Sequence, residues 1–439
     1  MNFIQRQFND ENSWISEWKK DGWEYAYAPI QVGFDKIKLK LEIEDIDYNR
    51  LQSAVNESKL NADSLLFAKT TTDSNVALDI CKDSDALYTY IKVDLGNNDI
   101  LTITPTGTDR KDNCSLVLHI KAHKYLGNIY NNTVEEEIAY IQTKLHEIEE
   151  LTGLYFNPEY LELTEAEINM NFLYELETMS FVDIQNTIGV YQIVNGKSSN
   201  NGYTVSSIKK STVEAMPSAI NGKRKISLYT RYTDIDINIY DKSYETKHNY
   251  NDTFDKDADR LDMIQSNYLR IEFRLSKRGI GTYLLDSNLV RLCQSDIEDA
   301  FKKIYKKCIH DNIVKYYRNW DLRLQKYFSN LDITNYKNRS AWKKDFLLDI
   351  SSQLNNEGDG YLYLTKDELK SYIKMIPASS VQKNAKKIVE QIIKEMESKR
   401  EMPIKVVNEI PYKVIDEFIL NFAGCQEQVI WYLPNKDIA

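Results

Sequence analysis

The chain has 439 residues, of which 42% are hydrophobic and 28% charged, and a formal net charge of −10 at pH 7. That length exceeds one ordinary core and points to two or three domains. The acidic balance excludes a general nucleic-acid coat, which needs clustered Lys and Arg, and no apolar run approaches the ~18 residues of a membrane span. The stretch Met1–Asp10 is polar, unlike a secretory leader. Cys81, Cys114, Cys293, Cys308 and Cys425 are scattered and odd in number, with no CxxC pair. They read as reduced thiols, so the expected compartment is the cytoplasm.

In chain order, the first strand signal is Lys36 to Ile43, where Lys36, Lys38, Lys40 and Glu42 alternate with Ile37, Leu39, Leu41 and Ile43. Tyr88 to Val93 and Ile100 to Thr104 flank Leu95-Gly96-Asn97-Asn98-Asp99, a hairpin signal. Leu116 to His123 alternates again. Thr133 to Gly153 predicts a helix: Thr133 and Glu136 fit a capping box, and Ile138, Ile141, Leu145 and Ile148 recur at helical spacing. Strands are expected at Leu163–Phe172 and Leu269–Leu275, with a hairpin over Ile226–Lys242 between them. Lys197–Asn221 reads as a long surface loop and Lys247–Asp259 as a polar connection. From about Gly279 the pattern becomes helical, with one or two long helices over Leu289–Phe328 and further helix starts at Thr365 and Ser379.

Four of these strands share one property. Alternation sets Val117, His119, Lys121 and His123 against Leu116, Leu118 and Ile120, and Glu167, Asn169 and Asn171 against Ala166, Ile168, Met170 and Phe172. It likewise sets Asp236, Asn238, Tyr240 and Lys242 against Ile235, Ile237 and Ile239, and Arg270, Glu272 and Arg274 against Leu269, Ile271, Phe273 and Leu275. One sheet built from them would cover its apolar face with helices and collect His119, Glu167, Tyr240, Lys242 and Glu272 on the other. Any one such strand fits a plainly solvated face. Together the residues suit metal-assisted phosphodiester chemistry, with an imidazole and two carboxylates for a divalent ion beside a phenol and a lysine.

Four ordered stretches carry a family resemblance: Leu116 to Tyr125 (LVLHIKAHKY), Leu163 to Phe172 (LTEAEINMNF), Ile237 to Glu245 (INIYDKSYE) and Tyr268 to Leu275 (YLRIEFRL). They resemble blocks of the Rep-trans rolling-circle replication initiators, a family related to relaxases of integrative elements. The likeness covers roughly Ile37 to Leu275. It implies an α+β protein, with an antiparallel-sheet nuclease core backed by helices, akin to the wider His-hydrophobic-His fold, and a helical C-terminal region. The implied activity is origin-specific DNA nicking and rejoining through a 5′-phosphotyrosine, with Tyr240 as nucleophile and Lys242 in support. The implied ligands of Mn or Mg are His119, Glu167 and Glu272. The chain departs from the family pattern at Glu165, where a basic residue is usual, at Glu167, where Asp is usual, and at His119, where Glu is usual. The turn before the tyrosine block is replaced by Tyr229 to Asp234. Tyr244, with Lys247 three positions on, is the alternative nucleophile, and Tyr229 and Tyr232 are nearby.

Residues 1–110 are expected to form the β-rich N-terminal part of the core, 111–285 the catalytic part, and 286–439 a helical region for DNA positioning or partner contacts. Lys302, Lys303, Lys306, Lys307, Lys315 and Arg318, interleaved with Tyr305, Tyr316, Tyr317 and Trp320, suit a backbone-tracking and base-stacking surface. The same pattern fits a solvated helix with its aromatics in a core. Expected partners are origin DNA, single-stranded or cruciform at the nick site, and a host helicase, with a homodimer allowed and no membrane. A relaxase for conjugative transfer would use the same chemistry, and a catalytically inactive DNA-binding relative is the alternative of a different class.

Overall fold

The computed structural model describes residues 24–44, 69–70, 75–76, 78–82, 89–94, 100–105, 113–120, 133–152, 157–173, 227–231, 234–241, 268–357, 362–398, 402, 404–424 and 426–432. The protein is α+β and divides into two compact units. One comprises Ser16–Phe172, Asp234–Phe301 and Gly424–Ala439; the other comprises Met1–Ile15, Leu173–Thr233 and Lys302–Ala423.

The first unit is built on an antiparallel sheet. The strands of this unit, in chain order, are β1 (Glu24–Ile30), β2 (Val32–Glu44), the short β3 (Lys69–Thr70) and β4 (Asn75–Val76), which pair with each other, β5 (Leu78–Lys82), β6 (Thr89–Asp94) and β7 (Ile100–Pro105). After them come β8 (Asn113–Ile120), β9 (Glu162–Leu173), β11 (Ile235–Asp241) and β12 (Tyr268–Ser276), while β10 (Ser227–Arg231) is assigned to the other unit. The main sheet runs in the order β11-β12-β9-β2-β8-β7-β6-β5. The expected hairpin is present, with Ile91 opposite Ile103 and Val93 opposite Leu101. Strands from both sides of residue 110 share this sheet. Apart from it, β1 pairs with β15 (Gln426–Tyr432).

Strand β2 lies between β9 and β8, and its pairing with β9 slips twice. Phe34 is opposite Ile168 and Lys36 opposite Glu167, so Asp35 is an extra residue; Lys38 is opposite Glu165 and Leu39 opposite Leu163, so Thr164 is extra on the other strand. Each bulge reverses the side-chain phase. This reconciles buried Val32 and Phe34 with buried Ile37 and Leu39 on one strand, and Leu163 with Ala166, Ile168 and Met170 on the other. The Thr164 hydroxyl donates to the Lys38 carbonyl, 3.1 Å away.

Helices cover the apolar face. Helix α1 (Val134–Thr152) starts at the expected capping box: the Glu136 amide donates to the Thr133 hydroxyl (3.1 Å) and the Thr133 amide to the Glu136 carboxylate (2.8 Å). It packs over β2 through a face that includes buried Ile141 and Leu145. Helix α2 (Lys277–Tyr283) follows β12 directly, and α3 (Gln294–Tyr305) sets Phe301 on Phe273 with ring centres 4.8 Å apart. Gln294 joins three elements, donating to the Val32 carbonyl (2.7 Å) and accepting from the Val134 amide (3.1 Å). Full burial of each large apolar side chain contributes roughly 1.5–3 kcal/mol.

Gly279, in α2, has no room for a side chain: a Cβ there would run into the Asp234 carbonyl oxygen, which also accepts from the Ser276 amide at 3.1 Å. Gly279→Ala is therefore expected to destabilise the protein by about 1–3 kcal/mol. Gly281, two residues on, has nothing within 4 Å of such a Cβ. Gly281→Ala should be neutral or stabilise by up to about 1 kcal/mol through helix propensity. Thermal melts of the pair check this, and equal melting temperatures would contradict it.

The second unit is mainly helical. A π-helical segment, Lys306–His310, leads from α3 into α4 (Asp311–Ser329). Then come α5 (Ala341–Glu357), β13 (Leu362–Thr365), α6 (Lys366–Lys374), α7 (Ser379–Lys383), α8 (Ala385–Glu397), β14 (Ile404–Val407) and α9 (Pro411–Leu420). Strands β13 and β14 are parallel. Tyr316, Trp320, Leu324 and Phe328 of α4 share one core with Trp342, Phe346, Tyr372, Ile373, Ile388 and Ile392. Asp416 of α9 is buried and ties that helix to the end of α3 and to the π segment, accepting from Tyr305 Oη at 2.5 Å and meeting His310 Nδ1 at 2.8 Å. No described helix is long and apolar enough to cross a membrane.

Candidate metal centre on the polar face of the sheet

The polar face of the sheet is not an ordinary wet face. Glu167 is 2% exposed, Asn169 and Arg270 0%, and Glu272 8%, so these side chains are held away from water along with Asp35 and Asn171. Buried charge at this density requires specific partners.

Asp35, Glu167 and Glu272 come together there, with one carboxylate oxygen from each lying within 4.8 Å of the others. Three strands supply them: β2 through its bulge, β9, and β12. The bulge is what admits Asp35, because it leaves both Asp35 and Lys36 against Glu167 where a regular strand would present one residue. Cations surround the carboxylates. Lys36 Nζ is 2.9 Å from Glu167 Oε2, and Arg274 Nε is 3.5 Å from Glu167 Oε1. Arg270 Nη1 is 3.2 Å from Asp35, and its Nε donates to Asn171 at 2.6 Å. Arg274 also pairs with Glu165. The site opens toward the Arg274 and Lys36 side, where those side chains are 45% and 34% exposed.

The electrostatics follow from crowding. Burial, then the Asp35 and Glu167 charges, push the Glu272 carboxyl up to about 8, against a partial pull down from Arg270 and Lys36. Burial raises Glu167 as well, opposed by Lys36. Burial tends to lower Lys36, but the ion pair with Glu167 prevails and raises it. Two like charges about 4 Å apart repel by about 4 kcal/mol at an effective dielectric of 20. A proton on Glu272 relieves that repulsion. A divalent cation would relieve it too, and an all-carboxylate oxygen set is the donor chemistry that Mg²⁺ and Mn²⁺ prefer. The residues present therefore fit such an ion.

Of the residues expected from sequence, Glu167 and Glu272 are brought together. Tyr240 stands in β11 directly opposite Arg270, and Asn238 opposite Glu272. His119 stands in β8 opposite Lys38, which is opposite Glu165 on its other side. The Tyr240 and His119 side chains, and all of Lys242, Tyr244 and His123, lie outside the described residues. Asp35 was not among the expected ligands. The signal for it lay in the phase change of the apolar residues, from even positions at Val32 and Phe34 to odd ones at Ile37 and Leu39, which demands a bulge between them.

The basic residues of the helical unit do lie outside, with Lys303, Lys306, Lys307, Lys315 and Arg318 exposed and Lys302 partly so. The aromatics between them do not join them. Tyr305, Tyr316 and Trp320 are buried, and Tyr317 stacks on Tyr412 with ring centres 4.5 Å apart. Comparison of the chain with protein-family models, with curated proteins and with solved structures finds no match.

Proposed function

We propose that this protein is a metal-dependent tyrosine DNA endonuclease and strand transferase, which nicks and rejoins the origin of a plasmid or mobile element to start rolling-circle replication. The observation that carries this reading is the buried Asp35–Glu167–Glu272 cluster on the face of a sheet whose neighbouring strand holds Tyr240 across from Arg270. The resemblance of the four blocks to Rep-trans initiators supplies the nucleophile, and the sheet backed by helices is compatible with a nuclease core of the His-hydrophobic-His kind.

In this scheme Tyr240 Oη attacks the phosphorus of a locally single-stranded origin. An O–P bond to tyrosine forms as the P–O3′ bond breaks, leaving a 5′-phosphotyrosine and a free 3′-OH that takes up the proton released by the phenol. A phenol has a pKa of ~10 and needs assistance at neutral pH. A divalent ion held by Asp35, Glu167 and Glu272 would polarise the scissile phosphate. Lys36 and Arg274 hold Glu167 in place from both oxygens, Arg270 orients Asp35, and Lys242 is assigned to the phenolate or the pentavalent oxygens. Supercoiled DNA carrying the element's own origin, incubated with the protein and Mn²⁺ or Mg²⁺, should yield open circles with protein attached at the 5′ end. Chelator should stop the reaction. Intact supercoils under all these conditions would overturn the proposal.

One observation favours a second reading. Asp35 and Glu167 already meet cationic side chains, at 3.2 and 2.9 Å, so a DNA-binding relative without catalysis could keep the cluster as an ion-pair tie between strands. That protein would bind origin DNA without forming an adduct.

A further inference from the structure

We propose that the α6–α7–α8 segment is a helix-turn-helix that docks on duplex DNA, with the exposed face of α7 and the start of α8 entering the major groove. This deepens the nicking reading by naming double-stranded DNA as a partner of the helical unit, and it rests on that reading only for the choice of origin DNA. The basic residues between Lys302 and Arg318 take no part.

The geometry comes first. Helix α6 (Lys366–Lys374) begins with a complete capping box between Thr365 and Glu368. Four residues, Met375–Ala378, connect it to α7, a connection of the length found in helix-turn-helix motifs. The connection is anchored from inside: Ile376 is fully buried, and Gln382 donates to its carbonyl at 2.9 Å. Helices α7 and α8 follow each other with only Asn384 between them, and the Ile388 amide reaches back to the Asn384 carbonyl at 3.0 Å. Val381, Ala385, Ile388 and Ile392 bury one side of this pair against Leu369 and Ile373 of α6.

The opposite side faces water and is basic over α7 and the start of α8, with Asp367 and Glu390 beside Lys386 only at its edge, in the groove between α6 and α8. Ser379, Ser380, Gln382, Lys383, Lys386 and Lys387 are all exposed. From Leu369 to Val389 the sequence holds Lys370, Lys374, Lys383, Lys386 and Lys387 and no acid, in a chain whose net charge is −10. The nearest acids along the chain are Glu368 and Glu390, at either end of that stretch. Lysines reach phosphates, while short hydroxyl and amide side chains at the start of a recognition helix reach base edges. This is the composition expected where a helix meets a duplex, and the one aromatic ring of the stretch, Tyr372, is buried in the core and offers no single-strand stacking platform.

The test uses the full-length protein and a 30-base-pair mixed-sequence duplex, with the matching single strand as a second probe. Triple replacement Lys383→Ala, Lys386→Ala and Lys387→Ala changes only exposed side chains, so the melting temperature should hold. Duplex affinity at low salt should fall at least tenfold, and the slope of log K against log salt should flatten by about 2–3, following ~0.9 per phosphate contact. Affinity for the single strand should change less than twofold, and arginine at the three positions should restore duplex binding. An unchanged slope, or an equal loss on the single strand, would overturn the proposal. A protein that nicks single-stranded origin DNA but binds no duplex also refutes it and leaves the nuclease reading standing. Duplex binding through these lysines without any nicking refutes the nuclease reading alone.

Discussion

Replacing Tyr240 with phenylalanine is expected to abolish the covalent protein–DNA adduct and to lower nicking on the order of 10³-fold or more, as loss of a nucleophile does. Fold and DNA binding should survive. The change removes one oxygen from a strand whose hold on the core comes from Ile235, Ile237 and Ile239, all buried, and from a ladder with β12 running from Ile235–Leu275 to Asp241–Leu269. Tyr244→Phe should keep most of its activity. Mass spectrometry of the trapped adduct checks the assignment directly: a nucleotide on Tyr244 or Tyr229 would move the nucleophile and keep the mechanism. Full nicking by Tyr240→Phe would remove Tyr240 from the chemistry.

Glu272→Gln is expected to stabilise the metal-free protein at alkaline pH and to weaken its hold on Mn²⁺. The Glu272 carboxyl stands at about 8 in the folded protein against an ordinary 4.5. Between these values the native state keeps a proton that the unfolded chain has released, so unfolding frees a proton and stability declines as pH rises. The decline should begin above about pH 4.5 and level off above about 8. Glutamine mimics the protonated acid at every pH. The variant should therefore lose that slope and gain, above pH 8, about 5 kcal/mol at most. Mn²⁺ should substitute for the proton, so wild-type affinity should rise up to about tenfold per pH unit below pH 8, with proton release on binding. Melts at pH 5, 7 and 9 with chelator, together with calorimetric Mn²⁺ titrations in two buffers, separate these effects. A pH slope that persists in Glu272→Gln would place its origin elsewhere, and unchanged Mn²⁺ affinity would remove Glu272 from the centre.

By itself the sequence determined the elements whose evidence is local. The alternation in β9, β11 and β12 sorts Glu167, Tyr240 and Glu272 from their apolar neighbours because a strand repeats every two residues, whatever it pairs with. The starts of α1 and α6 were legible in the same way, since a capping box closes hydrogen bonds between residues three apart, Thr133 with Glu136 and Thr365 with Glu368. Only the tertiary structure decided which strands are neighbours. Lys36 and Glu167 are separated by 131 positions along the chain, and no periodicity encodes that β2 enters between β9 and β8. That insertion brought Asp35 to the two glutamates and assembled the ion pairs around them. Burial was decided there too. The polar side of β12 reads like any solvated face, yet Arg270 is fully enclosed, and the aromatics of α4 read as well for a stacking platform as for a core until Trp342 and Phe346 packed against them. Period and propensity act over a few residues, whereas covering a face depends on chain segments far away in sequence.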